Sequence, residues 1–271
     1  MENNALNNLQ QLQKLSDSFA LFSDSSRGIW LTSKDYDLAI RIKKNGYVPK
    51  SGLLIAEALK DVSISGKKVL DIGTGETGFL AYYLNARGAS EVVGCDIDQS
   101  ALEWASQAGD YKNIQWILSD VFQSINDSLM FDIVVSNPPQ MPMPRSGDHH
   151  DYGGGDGRDV ILEIINGCSK HLNPGGQLFL LCFDFLGVLE SYNSKPSISE
   201  LASKKGFGCS VTMRRNQTVR QGGQTEKNID WIKVVYPRYQ FKKNVAGLLV
   251  HEVFVVELKR LNAAGRDEQQ T

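Results

Sequence analysis

Val69-Leu70-Asp71-Ile72-Gly73-Thr74-Gly75-Glu76-Thr77-Gly78 joins an apolar run to a glycine-rich turn and then a helical pattern, which reads as strand, tight turn, helix. Gly73 and Gly75 allow positive φ and let a ligand lie against bare backbone, while the free N–H groups that open the next helix favour a polar or anionic group. That is the chemistry of a nucleotide-like cofactor. The spacing Gly73-x-Gly75-x-x-Gly78, with Asp96 further along, also matches the dinucleotide fingerprint. Asp71 separates the two readings, because a carboxylate just ahead of the glycines repels a pyrophosphate and attracts an ammonium. S-adenosylmethionine (SAM) carries an ammonium, a ribose and no phosphate, so SAM is preferred to NAD.

Four polar residues, Asp71, Asp96, Asp120 and Asn137, each close an apolar strand-like run. In parallel sheets covered on both faces, ligands sit at such strand ends. Asp71 is expected to neutralise the methionine ammonium directly or through water, Asp96 to accept from the ribose hydroxyls, and Asp120 to accept from the adenine amine. Asp98, before Gln99-Ser100, reads instead as a helix cap. The candidate cofactor set is Asp71, Gly73, Thr74, Gly75, Asp96, Ile97, Asp120, Val121 and Asn137.

Asn137-Pro138-Pro139-Gln140 is the candidate acceptor site. Two prolines hold the chain extended and remove two N–H donors, leaving carbonyl oxygens free to accept. With the Asn137 side-chain oxygen they could grip both hydrogens of an NH2 group and aim its nitrogen at a sulfonium methyl. Asn137 and Pro138 are the candidate catalytic residues, and Asn137, Pro138, Pro139 and Gln140 the candidate substrate-binding set. The chemistry is catalysis by orientation, without acid or base acting first.

The elements that must position these residues alternate as strand and helix. Strands are expected at residues 67–72, 91–96, 114–118, 131–135 and 177–183, with helices at 77–87, 100–108, 158–171 and 198–205. Ser51 reads as the N-cap of a helix over 52–59, and Asn173-Pro174-Gly175-Gly176 as a turn. Strands are also expected at 208–213, 229–236 and 248–259. Ahead of all these, Leu6, Leu9, Leu12, Leu15, Phe19 and Leu21 suggest an amphipathic helix over 4–22, and 36–44 a second one broken by Asn45-Gly46.

The motifs resemble those of class I SAM-dependent methyltransferases, and within them the HemK-type family of protein glutamine N-methyltransferases, which act on peptide release factors and ribosomal proteins. The matching stretches are Tyr47-Val48-Pro49-Lys50-Ser51, Asp71 to Gly75, Asp96 with Ala101-Leu102, Ser119-Asp120, Asn137-Pro138-Pro139, Gly153-Gly154-Gly155-Asp156-Gly157 and Leu172 to Gly176. The resemblance implies an α/β, doubly wound, Rossmann-like sheet of seven strands, mostly parallel with the last strand antiparallel. It implies SAM on the glycine loop, S-adenosylhomocysteine as product, and N-methylation of an amide or amine held by Asn137 and Pro138. Two departures stand out: Gln140 occupies the position where the family places an aromatic that packs on a planar substrate group, and Thr77 precedes Gly78 at the third glycine.

The chain is therefore read as an N-terminal helical extension for substrate recognition, residues 1–50, a methyltransferase domain, 51–261, and a disordered tail, 262–271. A protein acceptor is favoured, with an RNA base or a small molecule as alternatives, and a SAM-binding partner subunit without catalysis as a different class. A charge of −2, with 41% apolar and 22% charged residues, gives no bulk attraction to nucleic acid. No apolar run reaches the roughly 20 residues that span a bilayer, and Cys95, Cys168, Cys182 and Cys209 show no zinc spacing. Reduced thiols and a cytoplasmic protein are expected; the sequence leaves the oligomeric state open. His149-His150-Asp151 reads as a solvated loop; Arg214, Arg215, Arg220, Lys227, Lys233, Arg238, Lys242 and Lys243 read as a salt-bridged basic surface or as a contact for RNA phosphates or an acidic partner, and Trp231, Tyr236 and Tyr239 as packing residues, with capping of a substrate pocket as the alternative.

Overall fold

The structure, a computed structural model, describes residues 10–24, 28–44, 46–111, 113–145 and 150–262. It comprises two compact units that divide between Ser124 and Ile125.

The first unit opens with strands β1 (Gln10–Lys14), β2 (Phe19–Asp24), β3 (Gly28–Ser33) and β4 (Leu38–Ile42), an antiparallel meander in that order. The helices expected over 4–22 and 36–44 are corrected here, within the described residues; Leu6, Leu9 and Asn45 lie outside them. Serines decide the local structure: Ser16 Oγ accepts from the N–H groups of Ser18 and Phe19, and Ser33 Oγ from those of Asp35 and Tyr36. Such bonds stabilise turns at the expense of helix. The apolar residues then alternate, with Leu38, Ile40 and Ile42 buried and Ala39 exposed between them. Phe19 packs edge-on to Phe79 at 5.4 Å and Tyr36 to Tyr83 at 5.5 Å, so the meander is tied to the helix that follows the glycine loop.

Helix α1 (Lys50–Ala58) starts after Pro49 with no capping side chain, and Ser51 lies inside it instead of at the cap. Next come β5 (Lys68–Ile72), α2 (Phe79–Ala86), β6 (Glu91–Asp96), α3 (Gln99–Ala108) and β7 (Ile114–Leu118), with β5, β6 and β7 parallel. The strands are apolar without strict alternation, as a sheet covered on both faces requires. Gly94 on β6 lies opposite Trp116 on β7, and a Cβ there would stand 2.6 Å from the indole.

The second unit contains β8 (Phe131–Ser136), α4 (Asp159–His171), β9 (Leu172–Phe183), α5 (Ile198–Ser203), β10 (Phe207–Thr218), α6 (Gln224–Lys227), α7 (Ile229–Val235), β11 (Lys242–Lys243) and β12 (Leu249–Arg260). Strands β8 and β9 are parallel; β12, the last strand, runs antiparallel to β9 and β10. Two expectations are corrected. Residues 229–235 are helical, with Tyr236 as the C-cap, because Ile232 and Tyr236 are the buried positions, four apart, with Asp230 and Lys233 outside. Asn173 to Gly176 is a bulge within β9: Phe131 pairs with Leu172 and Ile133 already with Gln177, and Asn173 Nδ2 donates to Asp132 Oδ1. The four cysteines are free thiols, three of them buried. No helix among the described residues is long and apolar enough to cross a membrane.

The Gly94–Trp116 contact gives a stability test. Gly94→Ala is expected to cost about 1–3 kcal/mol in urea unfolding, the usual range for overpacking. Trp116→Leu should absorb most of that cost in the double variant; strictly additive losses would contradict the contact.

Candidate active site

In the first unit the chain leaves β5 at Ile72 and turns through Gly73, φ +70°, and Gly75, φ +66°, before α2 starts after Gly78, φ +56°. The backbone requires these glycines, since left-handed φ is costly for other residues. The N–H groups of Gly73 and Thr74 both reach Cys95 O, at 2.9 and 3.0 Å. Asp96 braces the turn from β6: its Oδ2 accepts from Gly75 N–H at 2.8 Å and its Oδ1 from Asp98 N–H at 3.0 Å. Asp98 caps α3, accepting from Ser100 and Ala101 N–H.

Asp71 is 1% exposed. Its Oδ2 accepts from Thr74 Oγ1 at 2.6 Å and from Ala81 N–H at 3.1 Å, so one carboxylate ties strand, loop and helix together. Burial pushes its pKa up to about 7, against the lowering effect of these two hydrogen bonds. Both of these hydrogen bonds fall on Oδ2, so the carboxylate serves as the internal anchor of strand, loop and helix.

At the ends of β6 and β7 the structure places Ile97, 59% exposed, and half-buried Asp120, whose Oδ2 accepts from Gln123 Nε2. Val121 has φ +47°, the one positive φ outside glycine among the described residues, an uncommon and strained setting for a β-branched residue. Ser119 Oγ donates to the Val121 carbonyl and holds that turn.

The loop offers a direct test of cofactor fit. A Cβ at Gly73 or Gly75 would meet no atom within 4 Å, whereas one at Gly78 would lie 2.6 Å from Trp116. Open space therefore runs along the first two glycines, beside an acid with lone pairs to spare and an exposed apolar side chain. These suit the hydroxyls of a ribose and the face of an adenine. Asp71, Gly73, Thr74, Gly75, Asp96, Ile97, Asp120 and Val121 are thus all gathered on the loop and the two strand ends after it.

In the second unit β8 ends at fully buried Ser136, and Asn137 and Pro139 are half-buried around buried Pro138. The Asn137 amide makes no hydrogen bond among the described residues. Gln140 is 4% exposed: its Nε2 donates to Leu181 O at 2.9 Å and Pro138 O at 3.3 Å, and its Oε1 accepts from Phe183 N–H at 2.7 Å. The expectation that Gln140 binds substrate is corrected accordingly, since all of its polar atoms face backbone.

The glycine-rich loop lies along the same segment. Met141 N–H donates to Asp151 O, Gly153 N–H to Met141 O and Met143 N–H to Gly154 O. A Cβ on Gly153 would stand 2.5 Å from Gln140 Cα, and one on Gly157 2.6 Å from Gln140 O, which accounts for both glycines. Asp156 pairs with Lys195 at 2.6 Å and Arg158 at 3.5 Å. Burial acts to raise its pKa, but these cations outweigh it and hold the carboxyl below the ordinary value. Trp231 Nε1 donates to Gly155 O at 2.8 Å and Tyr236 Oη to Asp156 O at 2.5 Å. Sequence reasoning assigned Trp231 and Tyr236 to packing and passed over Lys195 and buried Arg158. The spacing of Ile232 and Tyr236 was the available signal for α7. Of His149-His150-Asp151, His149 lies outside the described residues. In the basic segment, Arg214 covers the Phe254 ring, Lys242 pairs with Glu252, and Arg238 donates to Ser191 O and Asn193 O.

Comparison with known proteins agrees with this reading. The family model of the methyltransferase small domain matches residues 48–207. A protein of Methanocaldococcus jannaschii, named provisionally as a protein N5-glutamine methyltransferase, is 28% identical over 165 residues, 58% of this chain and 81% of that protein. A release factor glutamine methyltransferase of Gloeobacter violaceus is 27% identical over 200 residues, 66% of each chain. This chain thus spans just under two thirds of that bacterial relative. Among solved structures, a chain from the E. cuniculi Mtq2–Trm112 complex, described as methylating the eRF1 translation termination factor, superposes with a TM-score of 0.50 at 21% identity. The match covers 79% of this chain and 98% of that one. It shows a shared Rossmann-like methyltransferase fold.

The raised pKa of Asp71 predicts a pH signature. A carboxyl raised from 3.8 to about 7 binds more protons folded than unfolded, so its contribution to stability is present below pH 3.8 and lost as pH rises toward 7. The stability of the wild-type chain relative to Asp71→Asn should fall by a few kcal/mol across that window in urea unfolding. A pH-independent difference would show that Asp71 is not buried as described.

Proposed function

Because the chain belongs to the methyltransferase small domain family and its cofactor is SAM, we propose that it N-methylates the side-chain amide of a glutamine in a protein of the translation apparatus. The observation that carries the acceptor assignment is Asn137-Pro138-Pro139 at the end of β8, an uncommitted amide followed by two residues without N–H groups. Asn137 Oδ1 and the Pro138 carbonyl would accept the two N–H groups of the acceptor amide. Gly73, Thr74 and Gly75 would carry the methionine part, Asp96 the ribose, and Ile97, Asp120 and Val121 the adenine. Asp71 acts on the cofactor through the loop it holds and through its charge. When bound, SAM supplies a methyl group already activated by its sulfonium. The acceptor nitrogen forms the new C–N bond, the C–S bond breaks to leave S-adenosylhomocysteine, and one N–H proton leaves to solvent.

The names of the relatives support a glutamine acceptor. We keep residues 51–261 as the methyltransferase domain, and a translation substrate would place the reaction in the cytoplasm.

The test is transfer of labelled methyl from SAM to a bacterial release factor, with RNA as a parallel acceptor. Asn137→Ala should bind SAM within about twofold of wild type and lose turnover by roughly 10²-fold, the scale expected for lost orientation. Label on RNA alone, or full turnover in Asn137→Ala, would contradict the proposal.

A further inference from the structure

Ladder pairing in the second unit sets the residue after the prolines apart from ordinary loop packing. Strands β8 and β9 are parallel, with Ser136 opposite Leu180. Continuing that register brings Pro138 opposite Cys182. A residue there would ordinarily donate its N–H to Leu181 O and accept from Phe183 N–H, the two groups that flank its partner in a parallel ladder. Proline has no N–H to give. The side chain of Gln140 makes both bonds instead: Nε2 to Leu181 O at 2.9 Å and Phe183 N–H to Oε1 at 2.7 Å. Its carboxamide stands in for the missing peptide group, and the remaining donor of the same Nε2 reaches Pro138 O at 3.3 Å.

We propose that Gln140 is a positioning residue: it supplies the ladder rung that Pro138 cannot, and so frees the Pro138 carbonyl from the sheet and fixes its direction for the acceptor N–H. The inference rests on the acceptor reading above. Two further features hold the clamp in place. Gln140 is 4% exposed, and Gly153 and Gly157 let the glycine-rich loop close directly on its backbone. A buried carboxamide with all its groups paired is rigid, because releasing either half leaves a β9 backbone group unsatisfied. An aromatic residue at this position would lose the rung. The chain therefore presents a preset carbonyl in place of a stacking surface.

Pro138-Pro139 is the one Pro-Pro pair in the chain, so uniform ¹³C-carbonyl, ¹⁵N proline labelling marks the Pro138 carbonyl alone through its coupling to a proline nitrogen. In Gln140→Met and Gln140→Glu this resonance should move upfield, as on loss of a hydrogen bond. SAM affinity should stay within about twofold, while kcat on the release factor falls by roughly 10²-fold and the acceptor KM changes by less than about threefold. An unmoved carbonyl resonance in either folded variant, or a rise in KM with unchanged kcat, would overturn the proposal. Should both variants fail to fold, the wild-type chain decides: the Gln140 side-chain amide protons should exchange slowly, and exchange at the rate of a free amide would overturn it. If wild type methylates no release factor, the function proposed above fails, and the carbonyl shift still judges Gln140.

Discussion

A carboxylate sealed from water holds the glycine loop. Asp71 receives the Thr74 hydroxyl and the Ala81 N–H on the same oxygen, so the strand end, the turn and the first turn of α2 share one anchor. Burying an acid is unfavourable unless it is hydrogen-bonded. Here two donors offset the cost only in part, and the carboxyl keeps a raised pKa. The consequence is a turn of left-handed glycines held between hydrogen bonds of the protein itself. Asp96 completes the frame from β6 by taking the Gly75 N–H, and it retains lone pairs for a ribose.

The second unit solves a comparable problem with different means. Two prolines stop the β8–β9 ladder, which leaves backbone groups of Leu181 and Phe183 in need of partners. The Gln140 carboxamide satisfies them, and a glycine-rich loop then packs against it where a side chain would collide. Lys195, Arg158, Trp231 and Tyr236 hold that loop in turn. Residues far from the motif in sequence thus hold the loop that closes on Gln140.

The strand ends were legible because parallel strands are short apolar runs and each is closed by a polar residue. Asp71, Asp96 and Asp120 fell where the alternation of strand and helix put them, and Asp98 capped α3 as its spacing indicates. The N-terminal meander was not legible: its leucines fit a helical period nearly as well as a strand one, and the serine-centred turns that settle the matter are weak signals. For α7 the reverse happened, since Ile229, Val234 and Val235 have strand propensity while burial follows the helical pair Ile232 and Tyr236. The role of Gln140 was misjudged for one reason. Side-chain direction depends on which backbone donors remain unpaired, and that is a property of the folded chain.

The central claim is that the glycine loop of the first unit is a SAM cradle framed by Asp96. Calorimetric titration of the full chain with SAM and, separately, with NAD tests it most directly, with Asp96→Ala alongside and thermal unfolding as a check on folding. The account predicts saturable SAM binding, no NAD binding, and a loss of about tenfold or more in SAM affinity for folded Asp96→Ala, as expected when a charged hydrogen-bond acceptor is removed. NAD binding without SAM binding, or undiminished SAM affinity in Asp96→Ala, would contradict it.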